Sequence, residues 1–358
     1  MSIKNTLITG TGCYIPKRVV KNVDFVKQIF FEKDSSVVDS EGDTVVSKFK
    51  DITGIAERRW AEENQKASDL AAIAAQKAIE NAGIDPETID QIIVANDFGD
   101  IIPDTIQTDL LPSLASRVKH LLKIQNPNCI PYDIIFGCPG WIQGVIQADA
   151  YIKSGLAKRC LVIGGETLSR VIDVYDRDSM IFSDGAGAAI IEGVEEEHQR
   201  GVISTAMMSH TNEEAYYLYL GKSNAPESNP NIRYIKMHGR KIYEYSLNNV
   251  PAAMKAALDK SGVPIEQVSK ILIHQANEKM DEAIVKRFYK LHGIRRNVDD
   301  VMPMNIQELG NSSVATIPTL YDMILKGKLS NHKINPSDIL LFASVGAGMN
   351  INAFVYKQ

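Results

Sequence analysis

The sequence predicts an α/β protein built from two similar halves. Two observations carry that reading. Short apolar runs alternate along the chain with longer segments of helical periodicity, the pattern of sheets covered by helices. A stretch of the first half also returns without a gap in the second. Residues 74–94, "AAQKAIENAGIDPETIDQIIV", match residues 253–273, "AMKAALDKSGVPIEQVSKILI". Gly83 falls on Gly262, Ile84 on Val263, Glu87 on Glu266, Ile89 on Val268, Ile92 on Ile271 and Val94 on Ile273.

In chain order, "NTLITGTG" reads as the first strand. "SDLAAIAAQKAIENAG" reads as a helix stopped by Gly83, and "DQIIVAND" as the buried strand after it. "YDIIFG", "RCLVIGGE" and "GAAIIEG" are further strands. The same grammar returns after about residue 200. "FGCPGWIQGVIQADAYIKSG" leads into "CLVIGGE", and "LGNSSVATIPTLYDMILKGK" leads through a longer loop into "DILLFASVG". Two units in the same order favour duplication, with halves at 1–195 and 196–358.

Composition bounds the function. A chain of 358 residues exceeds one average core. With 44% hydrophobic and 23% charged residues it reads as a soluble globular protein. A net charge of −5 argues against nucleic acid or a bare anionic membrane as partner. "MSIKNTLITG" lacks the apolar segment of a signal peptide, and no run approaches the roughly 20 apolar residues of a membrane span. A cytoplasmic location is expected. The four cysteines, Cys13, Cys129, Cys138 and Cys160, form no CxxC pair and have no His at ligand spacing. Free thiols and no metal site are expected.

Cys138 stands apart. In "IIFGCPGWIQG" it sits where a strand stops and a helix starts, with Pro139 suited to the first helical position. A thiol there meets the helix dipole and unpaired N–H groups, which favour the thiolate. The repeat sets Gly137-Cys138 opposite Gly310-Asn311, and His274 at the end of the strand matching "IIVA". If the halves pack about a pseudo-twofold axis, Cys138, His274 and Asn311 converge.

These residues have a familiar setting. "GTGCYIPKRVVKN", "TGIAERRWA", "GCPGW", "IFSDGAGAAII", "IKMHGRKIYEYS", "ILIHQANEKM", "ELGNSSVAT" and "LLFASVGAGMN" span nearly the whole chain. With them the chain resembles the β-ketoacyl-acyl carrier protein synthase III enzymes of the thiolase superfamily. The resemblance implies two fused βαβαβαββ halves in five layers, α-β-α-β-α, as a homodimer. It implies a decarboxylative condensation of an acyl primer with malonyl-acyl carrier protein. Cys138 is then the acyl-accepting nucleophile. His274 and Asn311 donate hydrogen bonds to the enolate left by decarboxylation. Gly348 supplies an oxyanion N–H beside that of Cys138, and no cofactor takes part.

The carrier or coenzyme A entrance is expected at Arg240, Lys241 and Lys279, with Glu244 where the family has a lysine. Lys48 and Ile52 replace the Trp and Arg that hold the adenine end of coenzyme A. "CPGW" stands for "CAGF" and "NIN" for "TWG", and there is extra sequence at 30–46 and 98–126. These departures argue against acetyl-CoA as primer and for a longer acyl-CoA, an acyl-carrier protein or a β-ketoacyl unit.

Two alternatives stay open: a secondary-metabolite enzyme joining two acyl chains, and a non-catalytic acyl-binding partner subunit. The retained Cys and His disfavour the second, and the retained His–Asn pair disfavours transfer to oxygen or nitrogen. Cys160, Cys13 and Cys129 read as structural. His238 is a weaker candidate for the entrance. Asn277 reads as a supporting hydrogen-bonder, the glycines of "DGAGA" as close-packing positions, and Met207, Met208, Met237 and Met349 mainly as core filling.

Overall fold

The structure is a computed structural model that describes residues 3–102 and 105–358. Met1 and Ser2 of the N-terminal stretch, and residues 103–104 of the 98–126 segment, lie outside the described residues.

The first half runs β1 (Ile3–Tyr14), β2 (Arg18–Lys21), α1 (Gly42–Thr53), β3 (Glu57–Trp60), α2 (Ala67–Ala82) and β4 (Gln91–Ala95). A small hairpin, β5 (Asp100–Ile101) and β6 (Thr108–Asp109), precedes α3 (Leu114–Leu121) and β7 (Ile130–Ile134). Then come α4 (Gly140–Ser154), β8 (Arg159–Thr167) and β9 (Asp184–Glu196). The second half runs β10 (Gly201–Ser209), β11 (Leu218–Gly221), β12 (Tyr234–Met237), α5 (Gly239–Ser261), β13 (Val268–Ile273) and α6 (Glu278–Leu291). It ends with α7 (Ile306–Leu309), α8 (Thr316–Leu325), β14 (Ile339–Gly346) and β15 (Asn350–Lys357).

Nine strands form one sheet in the order β13-β14-β15-β10-β1-β9-β8-β4-β7. Its symmetry is that of the repeat. Each half has two outer strands running parallel, β4 with β8 and β13 with β14. Each then turns back antiparallel, through β9 to β1 in one half and through β15 to β10 in the other. The halves join where β1 meets β10 at Thr6 and Gly201. Within the nine-stranded sheet the second half departs from the first at its edge: β7 has no assigned counterpart among the described residues. There the segment around Val301 lies beside β13, and the Ile271 N–H donates to the Val301 carbonyl at 2.7 Å. Pro303 follows, which cannot donate to a ladder.

The layers follow from what each helix touches. α2 packs on β1, β8 and β9, and α3 on β4 and β7. α5 packs on β10, β14 and β15 and against α6. α4 and α8 touch strands of both halves and form the middle layer. Three apolar clusters fill the gaps: one under α2 and α3, one around α4 and α8, and one under α5 and α6. This is the expected α-β-α-β-α arrangement.

The repeat is also exact in its stops. Gly83 and Gly262 both end their helices in left-handed backbone, at φ 64° and 70°. The extra segment at 30–46 forms a turn closed by a Phe31–Val37 bridge and leads into α1, over a small cluster containing Phe30 and Val45. In the 98–126 segment, Arg117 ties α3 to Asp100 and Asp109 at 2.8 and 2.7 Å. No helix among the described residues is long and apolar enough to cross a membrane.

Candidate active site

Cys138 lies in the corner before α4. Gly137 makes that corner with φ 67°, and a Cβ there would stand 2.6 Å from the backbone nitrogen of Ala347. A Cβ on Gly346 would stand 2.4 Å from the Cys138 nitrogen. The end of β14 therefore reaches the Cys138 corner only because both positions are glycine. Pro139 occupies the position before the helix proper, one residue earlier than expected.

His274 follows β13 directly and is buried; its N–H donates to the Ala343 carbonyl at 2.9 Å. Asn311 is buried too. Its backbone is clamped on the first half: the Asn311 N–H donates to the Ile181 carbonyl, and the Ser183 N–H to the Asn311 carbonyl, both at 2.8 Å. Its Oδ1 accepts the Ser313 N–H at 2.8 Å.

Cys138, His274 and Asn311 line one cavity of about 390 Å³ with mostly apolar walls. Phe98, Leu168 and Phe182 wall it on one side, and Val250, Met280 and Ile284 on another. The first group sits beside or within one apolar cluster and the second belongs to that under α5 and α6. The cavity thus reaches into both halves. Ile181, Met237, Ile242, Ala276 and Met280 also line a second cavity of about 560 Å³, together with Lys48, Ile52, Arg177, Arg240 and Tyr243.

Electrostatics correct the expectation for the thiol. Loss of water pushes Cys138 up to about 12, the Asp97 carboxyl adds to this, and the Ser313 hydrogen bond opposes it. The helix terminus does not outweigh the apolar walls and the neighbouring carboxyl. Burial brings His274 down to about 4, so the ring is neutral near pH 7. Asp97 is pushed up to about 6, chiefly by desolvation, and Glu166 well above the usual carboxylate range by burial and by Asp97.

Other assignments divide. Gly346 and Ala347 line the cavity and Gly348 is not among its lining residues, so the chain nearest the Cys138 corner is one to two residues before the expected oxyanion glycine. Arg240 lines the outer cavity, while Lys241 lies over the Tyr217 ring and Lys279 is exposed on α6; neither lines either of these two cavities. Arg240 pairs with Glu244 at 2.9 Å. His238 stacks on Tyr219. Asn277 caps α6 through the Met280 N–H at 3.0 Å. Met237 and Met349 line the cavity that holds Cys138, whereas Met207 is exposed. Cys13, Cys129 and Cys160 are buried, and a Cβ on Gly187 would meet Pro318 at 2.7 Å, as close packing requires.

Sequence reasoning missed Asp97, Glu166, Ser313 and Thr316. Asp97 had a signal. It follows β4 where the repeat sets Ala276 after β13, so it stands at the strand end equivalent to the one that carries His274.

The comparisons agree with this architecture. The family model described as 3-oxoacyl-(acyl-carrier-protein) synthase III matches residues 132–211, which include Cys138, and its C-terminal model matches 258–358, which include His274 and Asn311. A beta-ketoacyl-(acyl-carrier-protein) synthase III of Staphylococcus haemolyticus is 34% identical over 354 residues, covering 99% of each chain. The crystal structure of 3-oxoacyl-(acyl-carrier-protein) synthase III from Aquifex aeolicus superposes with a TM-score of 0.78 at 30% identity, covering 99% of this chain and 100% of that one. That of the Thermus thermophilus enzyme gives 0.78 at 29% identity, covering 98% and 99%. With a relative matching 99% of its length and the thiolase fold in its layers, the chain belongs to the 3-oxoacyl-(acyl-carrier-protein) synthase III family of condensing acyltransferases.

Proposed function

We propose that the protein condenses an acyl primer, held as a thioester on Cys138, with malonyl-acyl carrier protein. The thiol of Cys138 takes the acyl group from its donor, conserving thioester energy. Loss of carbon dioxide from the malonyl thioester leaves an enolate. His274 and Asn311 face its oxygen with hydrogen-bond donors, and the carbanion attacks the acyl-cysteine to give a β-ketoacyl thioester. No cofactor enters these steps. The single observation supporting the reading is the convergence of Cys138, His274 and Asn311 from both halves on one apolar cavity.

The cavity size supports a primer larger than acetyl. Its ~390 Å³ falls within the range of about 300–1,000 Å³ for pockets that take whole small molecules. The walls lie in two apolar clusters, which also favours a specialised role in which two acyl chains meet at Cys138. A homodimer, a cytoplasmic location and an acyl carrier partner complete the proposal. The test is intact-protein mass spectrometry after exposure to a panel of acyl-CoAs and acyl-carrier proteins, followed by malonyl carrier and analysis of the product. Acyl mass on Cys138 and release of a β-ketoacyl thioester are expected. Acyl mass that malonyl carrier never discharges returns the protein to an acyl-binding role.

A further inference from the structure

Two polar side chains beside the Cys138 sulfur have no part in the chemistry above. Ser313 Oγ lies 3.3 Å from Cys138 Sγ and 3.3 Å from Asp97 Oδ2. A hydroxyl has one proton, so it serves one partner as donor and the other as acceptor. With Asp97 ionised, it donates to the carboxylate and turns its lone pairs to the thiol.

The arrangement is held in place from several sides. Ser313 has a φ of 50°, a left-handed conformation that a non-glycine residue adopts at a cost, and strain of this kind clusters at functional sites. Its N–H is fixed by Asn311 Oδ1. The other oxygen of Asp97 accepts the Gly137 N–H at 2.9 Å, next to the nucleophile. The Asp97 N–H donates to Glu166 Oε1 at 2.5 Å. Asp97 and Ser313 both line the catalytic cavity.

We propose that Ser313 and Asp97 form a proton relay for acyl loading, in which the Cys138 thiol proton passes to the Ser313 oxygen as the Ser313 proton passes to the Asp97 carboxylate. The thiolate then attacks the carbonyl carbon of the primer thioester. A bond forms from carbon to the Cys138 sulfur, and the bond to the donor's sulfur breaks. The departing thiolate takes the proton back from Asp97 through Ser313, so the step ends with no net gain or loss of protons. The proposal rests on Cys138 being the acyl acceptor.

The charges explain why a relay suits this site. A thiolate formed beside an ionised Asp97 would put two anions in an apolar cavity. Proton transfer between them moves one negative charge from oxygen to sulfur instead. The groups around Asp97 allow it to carry that charge. Glu166 from β8 is pushed well above the usual carboxylate range by burial and by Asp97, Asp184 from β9 is raised as well, and His274 at the cavity wall is neutral. Since Asp97 titrates at about 6, the relay is open above that pH and closes as pH falls through it.

The experiment follows loading at Cys138 by mass spectrometry across pH 5 to 8 in the wild type, Asp97→Asn, Ser313→Ala and Cys138→Ala, with carbon dioxide release from malonyl carrier measured alongside. The wild-type loading rate should rise through pH 6. Asp97→Asn and Ser313→Ala should lower it by about 10²-fold or more, as for loss of a general base, and flatten that rise. Decarboxylation should fall less. Loading at the wild-type rate with the wild-type profile, or an equal fall in both half-reactions, overturns the relay. Acyl mass on Cys138→Ala instead overturns the assignment of the acyl acceptor. Ser313→Ala removes only a hydroxyl, so it decides the question if Asp97→Asn does not fold.

Discussion

His274 Nδ1 lies 2.7 Å from Thr316 Oγ1, and the same hydroxyl lies 2.9 Å from the Ser313 carbonyl oxygen. The hydroxyl proton can go to one of them. If it goes to the carbonyl, the ring proton sits on Nδ1 and Nε2 has none to give. If it goes to Nδ1, the neutral ring carries its proton on Nε2, free to donate. The ring is neutral near pH 7, so Thr316 decides whether His274 is a donor or an acceptor. Enolate stabilisation needs the donor.

Thr316→Val should therefore slow carbon dioxide release from malonyl carrier by about 10- to 100-fold, the range for losing a partner that orients a working histidine at a metal site. Acyl loading should change little. Nitrogen NMR of labelled His274 checks the cause: the wild type should show the proton on Nε2, and the variant a mixture. A single Nδ1–H tautomer in the wild type would exclude His274 as an enolate donor.

Cys138→Ala should take up no acyl mass from any donor. Cys160→Ser should load normally and melt at lower temperature, because Cys160 lies inside β8 with no exposure and a buried hydroxyl without a partner costs about 1–3 kcal/mol. Mass spectrometry and a thermal melt on both variants separate chemistry from packing.

His274→Ala should damage decarboxylation by about 10²–10³-fold, the usual loss for one oxyanion donor, and leave loading nearly intact. Asn311→Ala should match it in decarboxylation and also slow loading, since Asn311 Oδ1 holds the Ser313 N–H beside the nucleophile. Separate half-reaction rates test this. Equal loss in both half-reactions for His274→Ala would make His274 the base of Cys138.

Much of this site is legible in the sequence because it depends on repetition. The gapless match of 74–94 with 253–273 fixes the helix stops at Gly83 and Gly262 and puts His274 at a strand end. The corner of Gly137 and Cys138 is equally visible. The helix-terminus argument for a thiolate went astray because it is local, whereas Asp97 and Glu166 come from other strands, 41 and 28 residues away along the chain. Ser313 was hidden for a similar reason: a serine two residues past Asn311 gains meaning only when its hydroxyl meets a sulfur from the other half. Lys241 and Lys279 stand outside the lining of the two cavities because closeness in sequence on α5 and α6 does not fix which face of a helix borders the opening.

The entrance gives a substrate prediction. Ile52 is exposed and, with Lys48, lines the outer cavity, where neither offers coenzyme A an aromatic face or a guanidinium. Arg240 is exposed there but pairs with Glu244. A donor that docks over a wide surface loses less from this than one gripped by its adenine. In competition, acyl-carrier or longer acyl-CoA donors should load ahead of acetyl-CoA, with the carrier's advantage greater at low salt, where attraction to Arg240, Lys241 and Lys279 is less screened. Preference for acetyl-CoA at both salt levels would count against the longer primer.

Asp97 should also mark a trade of stability for function. Its carboxyl moves from an ordinary 3.8 to about 6 in the fold, so the folded protein holds this proton more tightly than the unfolded chain does. Stability from that proton is fully present below pH 3.8 and is lost as pH rises to about 6; above that, the ionised carboxyl costs about 3 kcal/mol. Asn has nearly the same shape and no charge to bury, and its oxygen can still accept the Gly137 N–H. Asp97→Asn should therefore be more stable than the wild type at pH 8, by up to about 3 kcal/mol, with the gain shrinking as pH falls through 6 toward 4. Denaturant unfolding of both proteins at several pH values measures it. A variant that is less stable at pH 8 would show that the carboxylate contributes more through Ser313 and Gly137 than its desolvation costs. A gain in stability together with slow loading would mean that the fold retains an unfavourable charge beside Cys138 because acyl transfer uses it.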